Sequence, residues 1–405
     1  MKREQSRGRR QRYTAGPRSG PGSRSPLPEI VLVRIALLIL LVLPCSLVPA
    51  GAEAQSFESD VAAFATRLEQ LRREHRLPGL AAAIVRDQQL AWSGAYGEAW
   101  DEVPVTTDTP FWIASLTKPF MGVLFLKLDA DGSIDLDAPV NVEPSYDGFC
   151  AWLAGSGLPF GRDLRCDVPI TLDQVLRHTV NGEPGTRFLY NPFMYSRLSR
   201  YIAHRYGHSV EAIDRDHNQM AQLLDSLVLD PAGMRRTMSS QWDRSRMDVY
   251  FDMAQGYGVT PEGRMVRLRS PGRYLAGGAG VVSTVEDLAR FDVALDRGVL
   301  LSPSLGRKLF TPAVAPDGTV LPYAYGWYVQ QYRGETLYWH SGWDEEAGFS
   351  ALYLKVPARN LTLILLANSG GLWWENPLDG AAVEGSPFAR AFLDRFVFGE
   401  ESGEE

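Results

Sequence analysis

The feature that most constrains the fold is where the two hydrophobic periods fall along the chain. Short β-rich runs lie near both ends: Leu80–Val85 and Gln89–Tyr96, parted by Arg86-Asp87-Gln88, then Tyr325–Tyr332, Thr336–Trp339, Gly348–Leu354 and Leu361–Leu366. Polar turns such as Arg333-Gly334-Glu335 and Pro357-Ala358-Arg359-Asn360 separate the later runs, as in antiparallel hairpins. Between about 115 and 300 the spacing is helical, most clearly at Phe120–Leu128, Leu172–Arg177, Tyr195–Tyr206, Met220–Leu227 and Val285–Leu295. Helical spacing also marks residues 57–75 and Pro387–Phe398. The pattern predicts an α+β fold, with an antiparallel sheet built from both termini, flanked by helices, and a mostly helical subdomain inserted at about 131–260. A cleft between two such parts is a natural place for a site.

The N-terminus has a different character. Residues 1–28 hold eight basic side chains against Glu4, and an unbroken apolar run, Ile35–Leu43, follows Arg34. Pro44 breaks the run, and small or apolar residues lead to Ala52-Glu53-Ala54. A basic segment, a short apolar core and an A-x-A site predict a signal peptide over 1–54, with a folded domain over 55–405. The predicted destination is export to the periplasm or beyond, the alternative being an uncleaved N-terminal anchor. The run is only about half the roughly 20 residues needed to span a bilayer, so no stable membrane span is expected after cleavage. Losing the nine basic and three acidic residues of 1–54 takes the net charge from −7 to −13. So acidic a chain is a poor partner for nucleic acid or an anionic membrane surface.

Cys45 leaves with the signal, and Cys150 and Cys166 remain. In an exported protein the natural reading of such a pair is a disulfide, although two free thiols stay open on sequence alone. The histidines at 75, 204, 208 and 217 show no ligand spacing with carboxylates, so neither a metal nor another cofactor is expected.

The chemistry centres on Ser115-Leu116-Thr117-Lys118. Residues three apart on a helix share a face, which brings a lysine within reach of a serine hydroxyl. A lysine made neutral by burial can then act as the base. The chain holds only five lysines against 36 arginines, and an arginine cannot take this role because it does not deprotonate. The open alternative is a surface lysine on an ordinary helix.

"TPFWIASLTKPF" at 109–120 resembles the nucleophile segment of the serine β-lactamase and penicillin-binding superfamily, whose S-x-x-K motif carries nucleophile and lysine. "LDADGSIDLDAPV", "PGTRFLYNP", "VLDPAGMRRT", "AGGAGVVSTVEDLARF", "YGW…HSG…GFSALYLKVP" and "LILLANS" continue the resemblance in family order over about 60–370. It implies a β-lactamase/transpeptidase-like fold, like that of class C β-lactamases, DD-peptidases and related esterases, with catalytic Ser115, Lys118 and Tyr190. Tyr190 matches the tyrosine of the class C Tyr-x-Asn motif. Pro192 stands where the asparagine is usual and brings no amide donor, while Asn191 is displaced by one position. The third motif, usually Lys-Thr-Gly, reads His340-Ser341-Gly342. By family position, the backbone N–H groups of Ser115 and Trp343 form the oxyanion site, and Asn191, His340, Ser341 and Gly342 line the substrate.

Two readings of His340 stay open, an orienting hydrogen-bond partner or a part-time cation. With histidine in place of lysine, and Asp344-Glu345-Glu346 close by, a neutral ester, amide or peptide is expected as substrate rather than one carrying a carboxylate. The rivals are a β-lactamase or DD-carboxypeptidase, and a sensor-like or scaffolding module that does not turn over. His178 and the glycine turn Gly277-Gly278-Ala279-Gly280 read as structural. The pair Trp373-Trp374 reads as packing on the sheet edge, with lining of the pocket as the alternative. Residues 141–168 look like an extra segment tied by the cysteines, a lid or a contact surface.

Overall fold

A computed structural model describes residues 50–209, 219–240, 244–260, 262, 264–271 and 275–400. The basic and apolar parts of the expected signal peptide lie outside the described residues, as does His217. The cut expected after Ala54 falls within the first helix, α1 (Ala50–Glu74).

Seven strands form the sheet: β1 (Gly79–Arg86), β2 (Gln89–Trp100), β3 (Val103–Pro104), β4 (Tyr328–Tyr332), β5 (Glu335–Asp344), β6 (Phe349–Val356) and β7 (Leu361–Ala367). Their order is β3-β2-β1-β7-β6-β5-β4, so the two ends of the chain meet where β1 pairs antiparallel with β7 (Ala83 opposite Ile364). The β1–β2 hairpin turns at Asp87 and Gln88, both at positive φ, the twist that suits a two-residue hairpin turn. The sheet expected from both termini is therefore present.

β1 and β7 are buried on both faces, which is why they read as apolar runs rather than as alternation. One face, with Leu80, Ala82, Ile84, Leu363 and Leu365, packs on α1 through Phe64, Leu68 and Leu71 and on the C-terminal helix through Phe388 and Phe392. The other face, with Ala81, Ala83, Ile364 and Leu366, belongs to a core that continues without a break into the helical region, through Leu288 and Phe291 to Ile202 and Leu224.

Five helices of that region matter here: α2 (Lys118–Ala130), α3 (Tyr146–Gly155), α4 (Pro192–Tyr195), α5 (Leu198–Arg205) and α6 (Val285–Asp296). The one-turn 3-10 helix at Ser115 leads directly into α2, where the helical spacing read from about 115 begins. α6 lies against β1, β2 and β7 and is fastened to the sheet by a buried ion cluster. Lys355 on β6 contacts Asp292 (2.5 Å) and Asp296 (3.0 Å) on α6, and Tyr353 donates to Asp292 at 2.6 Å. Burial pushes the Lys355 ammonium down, but Asp292 and Asp296 more than reverse this and hold it charged. Among the described residues, no helix is long and apolar enough to cross a membrane.

Candidate active site

Ser115 sits in a one-turn 3-10 helix, Ala114–Thr117, that leads into α2. Ala114, just before it, is held at φ +46°, a left-handed conformation costly for a residue with a Cβ. Neighbours on both sides hold it there. Ile113 donates its N–H to the Val281 carbonyl, and the Thr117 hydroxyl accepts from Val281 N–H. Within Phe111–Phe120, Ser115 alone is not buried. The local fold thus hides every neighbour and presents one hydroxyl.

Lys118, fully buried, brings Nζ to 2.9 Å from Ser115 Oγ and donates to the Gly278 carbonyl oxygen at 2.9 Å. Its ammonium lies above the rings of Tyr190 and Tyr195, with Nζ 4.9 and 5.4 Å from the ring centres. No carboxylate pairs with it among the described residues, so burial holds its pKa well below the ordinary lysine value. The contrast with Lys355, equally buried but paired with two aspartates, shows what an acidic partner does.

The Tyr190 ring lies beneath Lys118 Nζ, and the Ser115 side chain is close enough to favour the ionised form of Tyr190. Burial pushes its phenol far up, and the Ser115 contact only partly opposes this. The base candidate therefore tends to the neutral form while the phenol keeps its proton. Ser115, Lys118 and Tyr190, named from separate parts of the sequence, meet at one point.

His340 is buried on β5. Its Nδ1 donates to the Ser341 carbonyl at 2.6 Å, and in that neutral tautomer Nε2 accepts from the Tyr323 hydroxyl at 2.9 Å. Burial, then the nearby Lys118, pushes its pKa well down, so the ring supplies no positive charge near neutral pH. Of the two readings open for His340, the geometry matches the orienting one. Ser341 is buried beside it, and Gly342 packs on the nucleophile turn. A Cβ at 342 would overlap the Ile113 carbonyl oxygen. The glycine expected to admit substrate is required first by the protein's own backbone.

β4 pairs with β5 only as far as Trp339, and beyond it no strand among the described residues pairs with that edge of His340–Asp344. The Trp343 indole is 40 % exposed and stacks flat on Trp373 (5.3 Å between centroids, 5° between planes), and Trp374 continues the cluster. Asp344 accepts from Trp112 Nε1 at 3.1 Å and from Ala347 N–H at 2.9 Å, which ties it into the β5–β6 turn, while Glu345 and Glu346 are exposed.

Asn191 is a correction. It was expected to line the substrate, but it is completely buried with its polar groups committed elsewhere. Its Oδ1 caps α4 by accepting from Met194 N–H, and its Nδ2 donates to Phe160 O and Asn181 Oδ1. The asparagine–proline pair at 191–192 is a helix start, with the cap followed by proline at the first helical position, where a missing N–H costs nothing.

Several contributors went unread in the sequence. Gly278 lies in the turn taken as packing, and its carbonyl is what holds Lys118. His178 packs at a tilt against Tyr190 and Tyr195 (4.5 and 5.0 Å between ring centroids) and accepts from Asn191 N–H through Nδ1. Tyr323 carries His340. A backbone acceptor leaves no residue-type signal, and isolated aromatics look the same in a core as in a site. Cys150 and Cys166 are joined in a disulfide across 16 residues. No cluster of three or more metal-ligating side chains occurs among the described residues.

This architecture, with a serine–lysine pair between a sheet edge and a helical region, defines a class of serine hydrolases. The Beta-lactamase family model matches residues 64–383, and the chain belongs to that family. Its relatives include Esterase EstB of Burkholderia gladioli, 28% identical over 60% of this chain and 72% of the esterase. A D-aminopeptidase of Gluconobacter oxydans is 24% identical over 72% of this chain and 56% of that enzyme. Among solved structures, the octameric penicillin-binding protein homologue from Pyrococcus abyssi superposes with a TM-score of 0.62 at 21% identity, over 84% of this chain and 78% of that one, a likeness of fold.

Proposed function

We propose that the protein is an exported serine hydrolase that acts through an acyl-enzyme on neutral esters, amides or peptides. Ser115 Oγ attacks the substrate carbonyl as its proton passes to neutral Lys118, and the N–H groups of Ser115 and Trp343 receive the oxyanion. As the bond to the leaving group breaks, the proton moves through Lys118 and Tyr190 to the departing oxygen or nitrogen. Water then attacks the ester on Ser115, its proton returns to Ser115 Oγ along the same path, and the acid product leaves.

The observation that carries this reading is a fully buried lysine, without a carboxylate partner among the described residues, 2.9 Å from the hydroxyl of a serine that alone in its segment is not buried. The substrate class rests on the neutral His340, which offers a substrate carboxylate no charge. Export is supported by the N-terminal pattern and by the Cys150–Cys166 bond.

The test compares purified protein and its Ser115→Ala variant on p-nitrophenyl esters, D-alanyl peptides and nitrocefin. We expect hydrolysis of the esters or peptides to be lost in the variant, with weak turnover of nitrocefin. Full activity in Ser115→Ala would overturn the mechanism. Efficient nitrocefin hydrolysis that depends on the ligand's carboxylate would overturn the substrate class. Stable labelling of Ser115 without turnover would assign a sensor in place of a hydrolase.

A further inference from the structure

The segment between the two cysteines is tied at close quarters to the loop that carries Tyr190. Asn181 Nδ2 donates to the carbonyls of Phe160 (2.9 Å) and Arg162 (2.8 Å), and Asn191 Nδ2 donates to Phe160 O at 2.8 Å. The two asparagines also bond each other at 2.9 Å. Gly182 N–H donates to Asp163 O, Leu164 forms a bridge with Asn181, and Arg187 pairs with Asp163 at 2.7 Å. Phe160 packs against Phe193 of α4 (5.3 Å). Both asparagines are fully buried, so their bonds are made away from water, where leaving one unmade costs most. Asn191 is covalently next to Tyr190, and its own N–H donates to His178, against which the Tyr190 ring packs at a tilt.

We infer that the disulfide-closed loop 150–166 is a positioning element for the reaction, acting through Asn181 and Asn191 to hold the Tyr190 hydroxyl on Ser115. This rests on the proposed role of Tyr190. Phe160 lies inside the covalent loop, six residues before Cys166, so the crosslink limits how far its carbonyl can drift from the asparagines. The loop is a clamp behind the tyrosine.

The test is a double-mutant cycle on an ester substrate, with rates expressed per fluorophosphonate-titrated Ser115. Cys150→Ser/Cys166→Ser is made in the parent and in Tyr190→Phe. We expect removal of the disulfide to lower kcat by about tenfold or more, with KM changed by less than about twofold, since small displacements of a reacting group are costly in rate. In the Tyr190→Phe background the same change is expected to have little further effect. Should the cysteine variant not fold, Asn181→Ala, which keeps the disulfide, carries the same comparison.

Equal losses in both backgrounds, unchanged kcat with a lowered Tm alone, or failure of both variants to fold would each assign the loop a purely structural role and overturn the inference. If Tyr190→Phe by itself leaves kcat unchanged, it is the reading of Tyr190 that fails, and the inference goes with it.

Discussion

Two lysines, 118 and 355, are buried in the same molecule and carry opposite electrostatics. Lys355 is compensated by Asp292 and Asp296, whereas Lys118 has a serine hydroxyl, a carbonyl and two aromatic faces. The activity should therefore rise with pH as Lys118 loses its proton, with a midpoint well below the ordinary lysine value, measured as kcat/KM against pH. Tyr190, pushed up by burial, should keep its proton throughout that rise. Lys118→Arg should abolish the rising limb and lower kcat/KM by about 10²–10⁴-fold, the usual worth of a positioned base.

The same group sets a stability trend. Because its pKa is lower folded than unfolded, the unfolded chain binds more protons between the two values. Its burial penalty is then greatest at low pH and is relieved as pH rises towards the free-lysine range. Lys118→Met should raise stability by roughly 1–2 kcal/mol near neutral pH while abolishing activity, the usual exchange at a strained site. Thermal melts at pH 6 and pH 9 check both parts, since the gain should shrink at the higher pH.

At the scale of elements, β5 and the Ser115 turn approach so closely that position 342 has no room for a side chain. Gly342→Ala should lower stability by about 1–3 kcal/mol through overpacking, and lower kcat because the displaced atom is Ile113 O, two residues before Ser115. A denaturant melt together with kcat measures both. α6 illustrates a different kind of fastening. Lys355→Ala leaves Asp292 buried and unpaired, and should cost about 3–5 kcal/mol, whereas Lys355→Met combined with Asp292→Leu should cost much less, because a buried pair is dearest when only one partner goes. Chemical denaturation of the two variants gives the comparison.

At the scale of the molecule, one hydrophobic core runs from the sheet through α2 and α6 into the helical region, and the sheet's other face carries α1 and the C-terminal helix. Both cores share the sheet, so we expect sheet and helical region to unfold together. Tryptophan fluorescence and far-UV circular dichroism should give coincident thermal transitions, and two separated transitions would contradict this.

The sequence by itself determined the sheet drawn from both ends and the helical middle, because hydrophobic period is a local signal; it also proposed Ser115 and Lys118 from their spacing and chemistry, and Tyr190 from the family resemblance. It misassigned Asn191, since the same amide that can face a substrate can also cap a helix, and only the position of Met194 N–H and Phe160 O tells which. Only the tertiary structure decided that no carboxylate among the described residues pairs with Lys118, that Gly278 holds it by a backbone oxygen, that His340 bonds Tyr323 through Nε2, and that Gly342 yields its space to Ile113. Desolvation and close approach arise between segments far apart in the chain, and no stretch of sequence contains them.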